Sequence, residues 1–352
     1  MIKLFTDEGW PNFSADDGIL STGAPIIFIW GGRGTGKTYG ALKHVHQTGE
    51  EFLYLRRTPQ QAELICSSPL MWPWSPLNND LQTHYAPFKM SQIAGMYEVG
   101  NAGAYTDTGV PIRPAQMSGV LGNVVTMART RGFSSPNTSI IILDEYQKEE
   151  SDYYRRGEGV GLANIYETVN RNRELQGRKP VQLLCLANAN DVANPIFVGF
   201  NLVKTANAML AKGREVYQDN ERGICLYMLQ KSPISDEKRN TVLYKATEGT
   251  RFSEMALDNK FAFNDFSNIR SRPLREFVPI CAIGKICCYR HKSDGTYYVS
   301  LHKSGSPPEF TDSEADVQRF KRTFGWLWDA HMKKKIVFEE YLAEHLLTKY
   351  LK

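Results

Sequence analysis

An α/β fold with a mainly parallel sheet, followed by a smaller α+β domain, is predicted by three observations. The runs Pro25-Ile26-Ile27-Phe28-Ile29-Trp30, Ser139-Ile140-Ile141-Ile142-Leu143 and Val181-Gln182-Leu183-Leu184-Cys185-Leu186-Ala187 are nearly apolar throughout. Strands buried on both faces read this way, whereas half-exposed strands alternate. Helix-compatible segments lie between them, which is the alternation of a parallel sheet covered on both sides. Third, Gly31-Gly32-Arg33-Gly34-Thr35-Gly36-Lys37-Thr38 follows the first run directly and fits G-x-x-x-x-G-K-[ST]. A strand feeding a glycine loop that opens a helix is the context that gives this pattern meaning.

Taken in order, residues 1–24 read as a polar lead-in with one short helix, and 26–30 as the first core strand. Thr38 to Gln47 is the helix after the loop, ended by Thr48-Gly49. Glu51 to Arg57 is a second strand, and Pro59 starts a helix through Ile65. Residues 67–78, crowded with Pro and Trp, read as an irregular excursion, and 93–125 as short strands joined by Gly turns. Asn164 to Val169 is helical and leads into Arg171-Asn172-Arg173. The first domain is placed at 1–200, a helical linker at 201–232 and a second, α+β domain at 233–352. In that domain, Phe277–Ile283, Lys285–Arg290 and Tyr297–Leu301 read as strands, with Ser293-Asp294-Gly295-Thr296 as a hairpin turn. Ser313 to Lys352 reads as amphipathic helix, with Lys333-Lys334-Lys335 on a solvated face, the alternative being contact with nucleic acid.

The loop predicts binding of a nucleoside triphosphate, ATP, with Mg²⁺. Its glycines (Gly31, Gly32, Gly34, Gly36), with Arg33 and Thr35, let backbone N–H groups turn toward phosphate oxygens. Lys37 supplies a point charge to the β/γ-phosphates, and the Thr38 hydroxyl can ligate Mg²⁺. A second strand, Ile140 to Leu143, ends in Asp144-Glu145, which places both carboxylates at the strand's C-terminal end, where ligands lie in open α/β sheets. Asp144 is assigned to the Mg²⁺ shell and Glu145 to orienting and deprotonating the attacking water. Asn188, at the tip of the next strand, can bond that water or the γ-phosphate; the alternative is a turn, since Asn188-Ala189-Asn190-Asp191 is turn-rich. Arg171 and Arg173 could stabilise developing charge; the alternative is a surface ion pair with Glu167 or Glu174, worth little. Arg33 is a further candidate for the γ-phosphate, and Arg56-Arg57 could flank the nucleotide.

Composition limits the alternatives. No stretch approaches 18 consecutive apolar residues, so no membrane-crossing helix and no membrane partner are expected. Asp7 and Glu8 without an apolar run argue against a signal peptide. The six cysteines show no C-x-x-C pair and read as reduced thiols. His44 and His46, two apart on a helix, point to different faces and do not suggest a metal site. Residues 1–199 carry 17 Lys+Arg against 19 Asp+Glu, a net of −2; residues 200–352 carry 25 against 19, a net of +6. The basic second half permits a polyanionic partner without requiring one.

Together these motifs resemble the DNA-packaging ATPases of small tailed phages of the phi29 type and, more distantly, the ATPase lobe of large terminases. The resemblance rests on Gly31 to Thr38 with Arg inside the loop, on Phe52-Leu53-Tyr54-Leu55-Arg56-Arg57, and on Pro136 to Ser139 running into Leu143-Asp144-Glu145. Glu167-Thr168-Val169-Asn170-Arg171-Asn172-Arg173-Glu174, Leu184 to Ala189, Asn194-Pro195-Ile196-Phe197, Gly199 to Val203 and Ser253 to Phe261 extend it. It covers about residues 25–265 well. It implies a homomeric ring of five, in the host cytoplasm and transiently at the portal of a preformed capsid, that moves double-stranded DNA inward on ATP. A structural RNA scaffold occurs in the family. The family's trans-acting arginine matches Arg171, with Arg173 its near neighbour. The family lysine after the double arginine has no match, because Thr58-Pro59 stands there.

In large terminases the second domain is an RNase H-type nuclease with clustered metal-binding acids. Here the hairpin from Ile280 to Leu301 offers only Asp294, in a turn, whereas two-metal cleavage needs several converging carboxylates. The expectation is a vestigial, inactive nuclease-like domain. For DNA, Arg129-Thr130-Arg131-Gly132 is a basic loop near which the family places a DNA-gripping residue. The alternative is a solvated surface loop. Two rival functions remain at this stage. A nuclease-competent terminase large subunit would cut plasmid with Mn²⁺. A nucleotide-gated scaffold binding portal or RNA would show no DNA-stimulated turnover.

Overall fold

The computed structural model describes residues 2–90, 95–129, 137–147, 157–188, 192, 194–229, 239–250 and 268–351. The chain divides into two compact units, Met1–Phe200 with Met209–Ala262, and Asn201–Ala208 with Phe263–Lys352.

The first unit is built on one nine-stranded sheet. Third from one edge lies β1 (Ile26–Gly31), which opens through the glycine loop into α1 (Lys37–Thr48). The chain continues through β2 (Phe52–Arg56), α2 (Pro59–Cys66), α3 (Ser75–Leu81), β3 (Tyr85–Lys89), β4 (Tyr97–Asn101), β5 (Gly119–Asn123) and α4 (Val124–Met127). Then come β6 (Ile140–Asp144), α5 (Glu158–Asn170), β7 (Gln182–Asn188), α6 (Pro195–Gly199), α7 (Val203–Lys212, of which residues 203–208 are assigned to the second unit), β8 (Val216–Asp219), β9 (Ile224–Leu229) and α8 (Val242–Ala246). The strand order is β3-β4-β5-β2-β6-β7-β1-β9-β8. Strands β5, β2, β6, β7, β1 and β9 run parallel, and β3, β4 and β8 form antiparallel edges. This is the mainly parallel sheet that the apolar runs predict. Ile140, Ile141, Ile142 and Leu143 are all buried, because helices cover both faces. Truncating one such side chain, Leu184→Ala for example, should cost about 2–5 kcal/mol.

The helices follow from the same pattern. Ala41, Leu42 and Val45 form the buried stripe of α1, and Gly49 at φ 65° ends it in the left-handed region. Leu162, Ile165 and Val169 face α5 inward. Gly159 lets α5 approach α6 closely, since a Cβ there would collide with the Pro195 carbonyl.

Three expectations need correction. The stretch 201–232, expected as a helical linker, is helical only in α7; β8 and β9 follow and complete the sheet beside β1. The run Ile224–Leu229 is wholly buried, the mark of an interior strand. Of residues 67–78, expected as irregular throughout, 67–74 are irregular and 75–78 open α3; Trp74 stacks on Phe52 and on Trp72, with centroids 5.4 and 4.7 Å apart. The C-terminal segment is not one amphipathic helix but several elements, described next.

In the second unit β10 (Phe277–Ile283), β11 (Ile286–His291) and β12 (Tyr297–Ser300) form an antiparallel meander. Strand β13 (Glu309–Phe310) lies parallel to β10. After α9 (Glu314–Phe324) and α10 (Trp326–Met332), β14 (Ile336–Phe338) pairs parallel to β12, and α11 (Tyr341–Leu351) follows. Cys281, Ile283, Cys288, Val299, Phe320 and Phe338 are part of its core. The Asp294-Gly295 turn is as expected, with Gly295 at φ 70°. Lys333, Lys334 and Lys335 are exposed, but in the turn between α10 and β14 rather than on a helix face. Lys334 adopts φ 54°, where a helix cannot continue.

Candidate active site

Register brings the predicted residues to one edge. In the parallel sheet Gly31 of β1 stands opposite Asn188 of β7, and Asp144 of β6 stands opposite Leu186 of the same β7. The strand carrying Asn188 therefore lies between the glycine loop and the carboxylates, all at the strands' C-terminal ends.

The loop turns at Gly34 (φ 67°) and Gly36 (φ 84°), and Gly36 caps α1. A side chain at Gly36 would be strained and would meet the Trp10 indole at 2.8 Å. Lys37 is buried and its Nζ donates to Gly31 O (3.1 Å) and Gly32 O (2.6 Å), with Asn188 Oδ1 at 3.4 Å. Thr35 donates from Oγ1 to Gly32 O at 3.1 Å. Arg33 is exposed on the loop.

Asp144 is the hub. Its carboxylate accepts from Thr38 Oγ1 (3.1 Å to each oxygen), from Tyr54 OH (2.5 Å) and from Arg56 Nη1 (3.2 Å). Arg56 Nη2 also binds Glu145. Burial, reinforced by Asp144, pushes the Tyr54 hydroxyl well above its ordinary pKa, so it stays protonated and donates. Burial works against the Arg56 charge, yet Tyr54, Asp144 and Glu145 outweigh it and hold the guanidinium above its usual value. Glu145 adopts φ 53°, an uncommon conformation for a residue with a Cβ, and its side chain is 48% exposed.

A hydroxyl and a carboxylate within bonding distance are hard oxygen donors, the chemistry that Mg²⁺ selects. Thr38 and Asp144 thus fit that ion.

Arg57 turns away from the carboxylates that Arg56 binds. It is buried and pairs with Glu158 at the start of α5, Nε to Oε2 at 3.1 Å and Nη2 to Oε1 at 3.0 Å. The two candidate arginines after α5 also separate. Arg173 is 6% exposed and donates from Nη2 to Thr138 O at 2.8 Å; burial, with Arg178 nearby, lowers its pKa. Arg171 is exposed, caps α5 at φ 47° and donates from Nε to Thr168 O at 3.3 Å. Asn170 accepts from Val181 N at 2.9 Å. Thr138 and Val181 precede β6 and β7, so Arg171 sits at the opposite end of the sheet from Asp144. Six residues of extended chain separate Thr138 from Asp144, about 20 Å.

Arg129 is exposed just beyond α4; Arg131 lies outside the described residues. Sequence reasoning missed Tyr54, Trp10 and the Arg57–Glu158 pair. Strand alternation carried the first: residues 52, 54 and 56 share a face, so Tyr54 must accompany Arg56.

The parallel sheet, the glycine loop and the Thr38–Asp144 pair define a phosphate-loop α/β protein. A family model of podovirus DNA encapsidation proteins (Gp16) matches residues 121–298, half of the chain, and the chain belongs to that family. The DNA packaging proteins of Bacillus phages phi29 and PZA are each 28% identical over 249 residues. Those alignments cover 69% of this chain and 64% of the relatives' own length. A solved structure described as the bacteriophage Phi-29 viral genome packaging motor assembly matches 99% of this chain and 100% of its own, at 20% identity and a TM-score of 0.62, a likeness of fold.

Proposed function

We propose that this chain is an ATP-hydrolysing motor that moves double-stranded viral DNA through a portal into a preformed capsid, as a homomeric ring of five copies. Membership of the DNA encapsidation family supports the DNA cargo. The single observation that carries the mechanism is the convergence of Lys37, Thr38, Asp144, Glu145 and Asn188 on one edge, with Arg171 at the other.

In this reading the loop amides and Lys37 hold the triphosphate, and Lys37 must leave the carbonyls of Gly31 and Gly32 to do so. Thr38 and Asp144 would hold Mg²⁺, which when bound would neutralise developing phosphate charge. Glu145 accepts a proton from the attacking water, for which its carboxylate must first leave Arg56. Asn188, already within reach of Lys37, senses the γ-phosphate. Arg171 cannot reach its own carboxylates across the sheet, so it acts on the site of the next copy. Arg129, with Arg131, grips DNA phosphates without reading sequence. Basic surface on the second half would equally serve an RNA scaffold. The second unit is a nuclease-like fold that does not cleave. That reading rests on its meander, whose hairpin carries only Asp294, engaged by Thr296 N at 2.9 Å and Thr296 Oγ1 at 2.5 Å.

The test is ATP turnover with and without double-stranded DNA and portal-bearing capsids. Stimulation by both is expected; turnover indifferent to either sinks the motor reading. In mixed rings, Arg171→Ala copies should regain turnover beside Glu145→Gln copies that donate the arginine. No regain at any ratio leaves Arg171 a local structural residue.

A further inference from the structure

The site and the arginine it lends to its neighbour lie at opposite ends of the sheet, and one buried ion pair joins the elements that carry them. Arg56 and Arg57 are consecutive, so their side chains leave the β2 tip on opposite sides. Arg56 binds Asp144 and Glu145; Arg57 turns away and grips Glu158 with two parallel bonds. The side chains of this pair are 1% and 2% exposed. Glu158 is the first residue of α5, and Arg171 is the residue that caps its other end.

The 13-residue helix is about 20 Å long. Its far end is seated by Asn170 on Val181 N, and by Arg173 on Thr138 O. Its near end is packed on α6 through Gly159 and Gly199, where no side chain intervenes. Gly161 likewise packs close to Val124 and Ala128, and the fork of Arg57 is a directional contact that ties the helix start to the β2 tip. A bidentate guanidinium–carboxylate pair fixes both distance and plane, unlike a single bond or a point charge.

We propose that the Arg57–Glu158 pair is the joint through which the nucleotide site of one copy sets the position of the Arg171 that it presents to the next. The inference rests on the trans-acting role of Arg171 proposed above. When Arg56 releases Glu145, the β2 tip keeps its bond to Asp144 and loses its second carboxylate on one side, while Arg57 still holds α5 on the other. The helix then follows the tip, and Arg171 follows the helix. Arg57 and Glu158 are positioning residues: neither faces the loop.

The test removes both charges at once. Replacing a buried pair by apolar side chains of similar volume is commonly neutral or stabilising, whereas removing one partner strands a buried charge. The full-length Arg57→Met/Glu158→Leu double variant should therefore melt no earlier than the native chain and bind a non-hydrolysable ATP analogue within about twofold. Turnover in assembled rings should nevertheless fall on the order of tenfold to a hundredfold, in kcat rather than KM, as expected of a group misplaced by about 1 Å. Mixed with Glu145→Gln copies, the double variant should regain turnover as Arg171→Ala does. Should it melt early, Arg57→Lys, which keeps the charge and loses the fork, is put through the same assays. Native turnover by a stable variant overturns the proposal. So does a loss that Glu145→Gln copies relieve for Arg171→Ala but not for the variant. Failure to relieve Arg171→Ala itself overturns the trans-acting reading, and the joint with it.

Discussion

Removing the Arg56 guanidinium while keeping its apolar volume, as Arg56→Met, should destabilise the first unit mainly when no magnesium nucleotide is present. The magnitude follows from the contacts. Arg56 is 9% exposed and Asp144 6%, and breaking such a buried pair typically costs about 3–5 kcal/mol because a charge is stranded. Two facts reduce this. Asp144 keeps its bonds from Tyr54 and Thr38, and the second partner, Glu145, is half-exposed, where a pair is worth at most about 1 kcal/mol. A net loss of about 2–3 kcal/mol remains, which lowers the melting temperature of a unit this size by about 5–10 °C. With Mg²⁺ and a non-hydrolysable ATP analogue, Asp144 gains a cation that takes over the lost charge, and the difference should shrink to about 1 kcal/mol or less. Scanning calorimetry of both proteins under both conditions reads this directly. An equal loss with and without the magnesium nucleotide would refute the assignment of Asp144 to the metal and of Arg56 as its stand-in.

Arg171→Ala should leave the melting temperature unchanged, since the side chain is exposed, whereas Arg173→Ala should cost about 1–3 kcal/mol by leaving Thr138 O without its buried donor; chemical denaturation separates them. Trp10→Ala should raise the Kd for ATP by several-fold through loosening the wall against Gly36, with little change for a variant such as Leu70→Ala on the open surface. Glu339 accepts from Ser300 Oγ (2.7 Å), Leu301 N (2.9 Å) and His302 Nδ1 (2.7 Å). Burial pushes its pKa up, but those bonds outweigh burial and hold it below the usual value. Its stabilisation is therefore present above the unfolded-state value and lost as pH falls below about 4. Glu339→Gln should destabilise the second unit by about 1 kcal/mol at pH 7, and the difference should shrink as the pH is lowered through the acid range, read by melts at each pH. All six cysteines are free; burial pushes the Cys66 thiol up to about 12, and the others are buried. A thiol reagent at pH 8 should find none of them until the protein is denatured.

The sequence by itself determined the elements whose chemistry is local. A strand buried on both faces must be apolar throughout, so β1, β6 and β7 are legible without any partner. The glycine loop announces itself because only glycine takes the backbone angles it needs, and a carboxylate pair after an apolar strand can only stand at that strand's end. The Asp294-Gly295 turn is legible for the same reason. Tertiary structure decided what depends on residues distant in the chain. Strands β8 and β9 lie in the stretch expected to be a linker, because a strand's place in a sheet is set by a partner some 200 residues away, β1. The roles of Arg56, Arg57, Arg171 and Arg173 are indistinguishable by residue type. Packing parted them: one faces the carboxylates, one is locked to Glu158, one is exposed and one is spent on a backbone carbonyl. A charge takes its meaning from the dielectric and the partner around it, and those exist only in the folded chain.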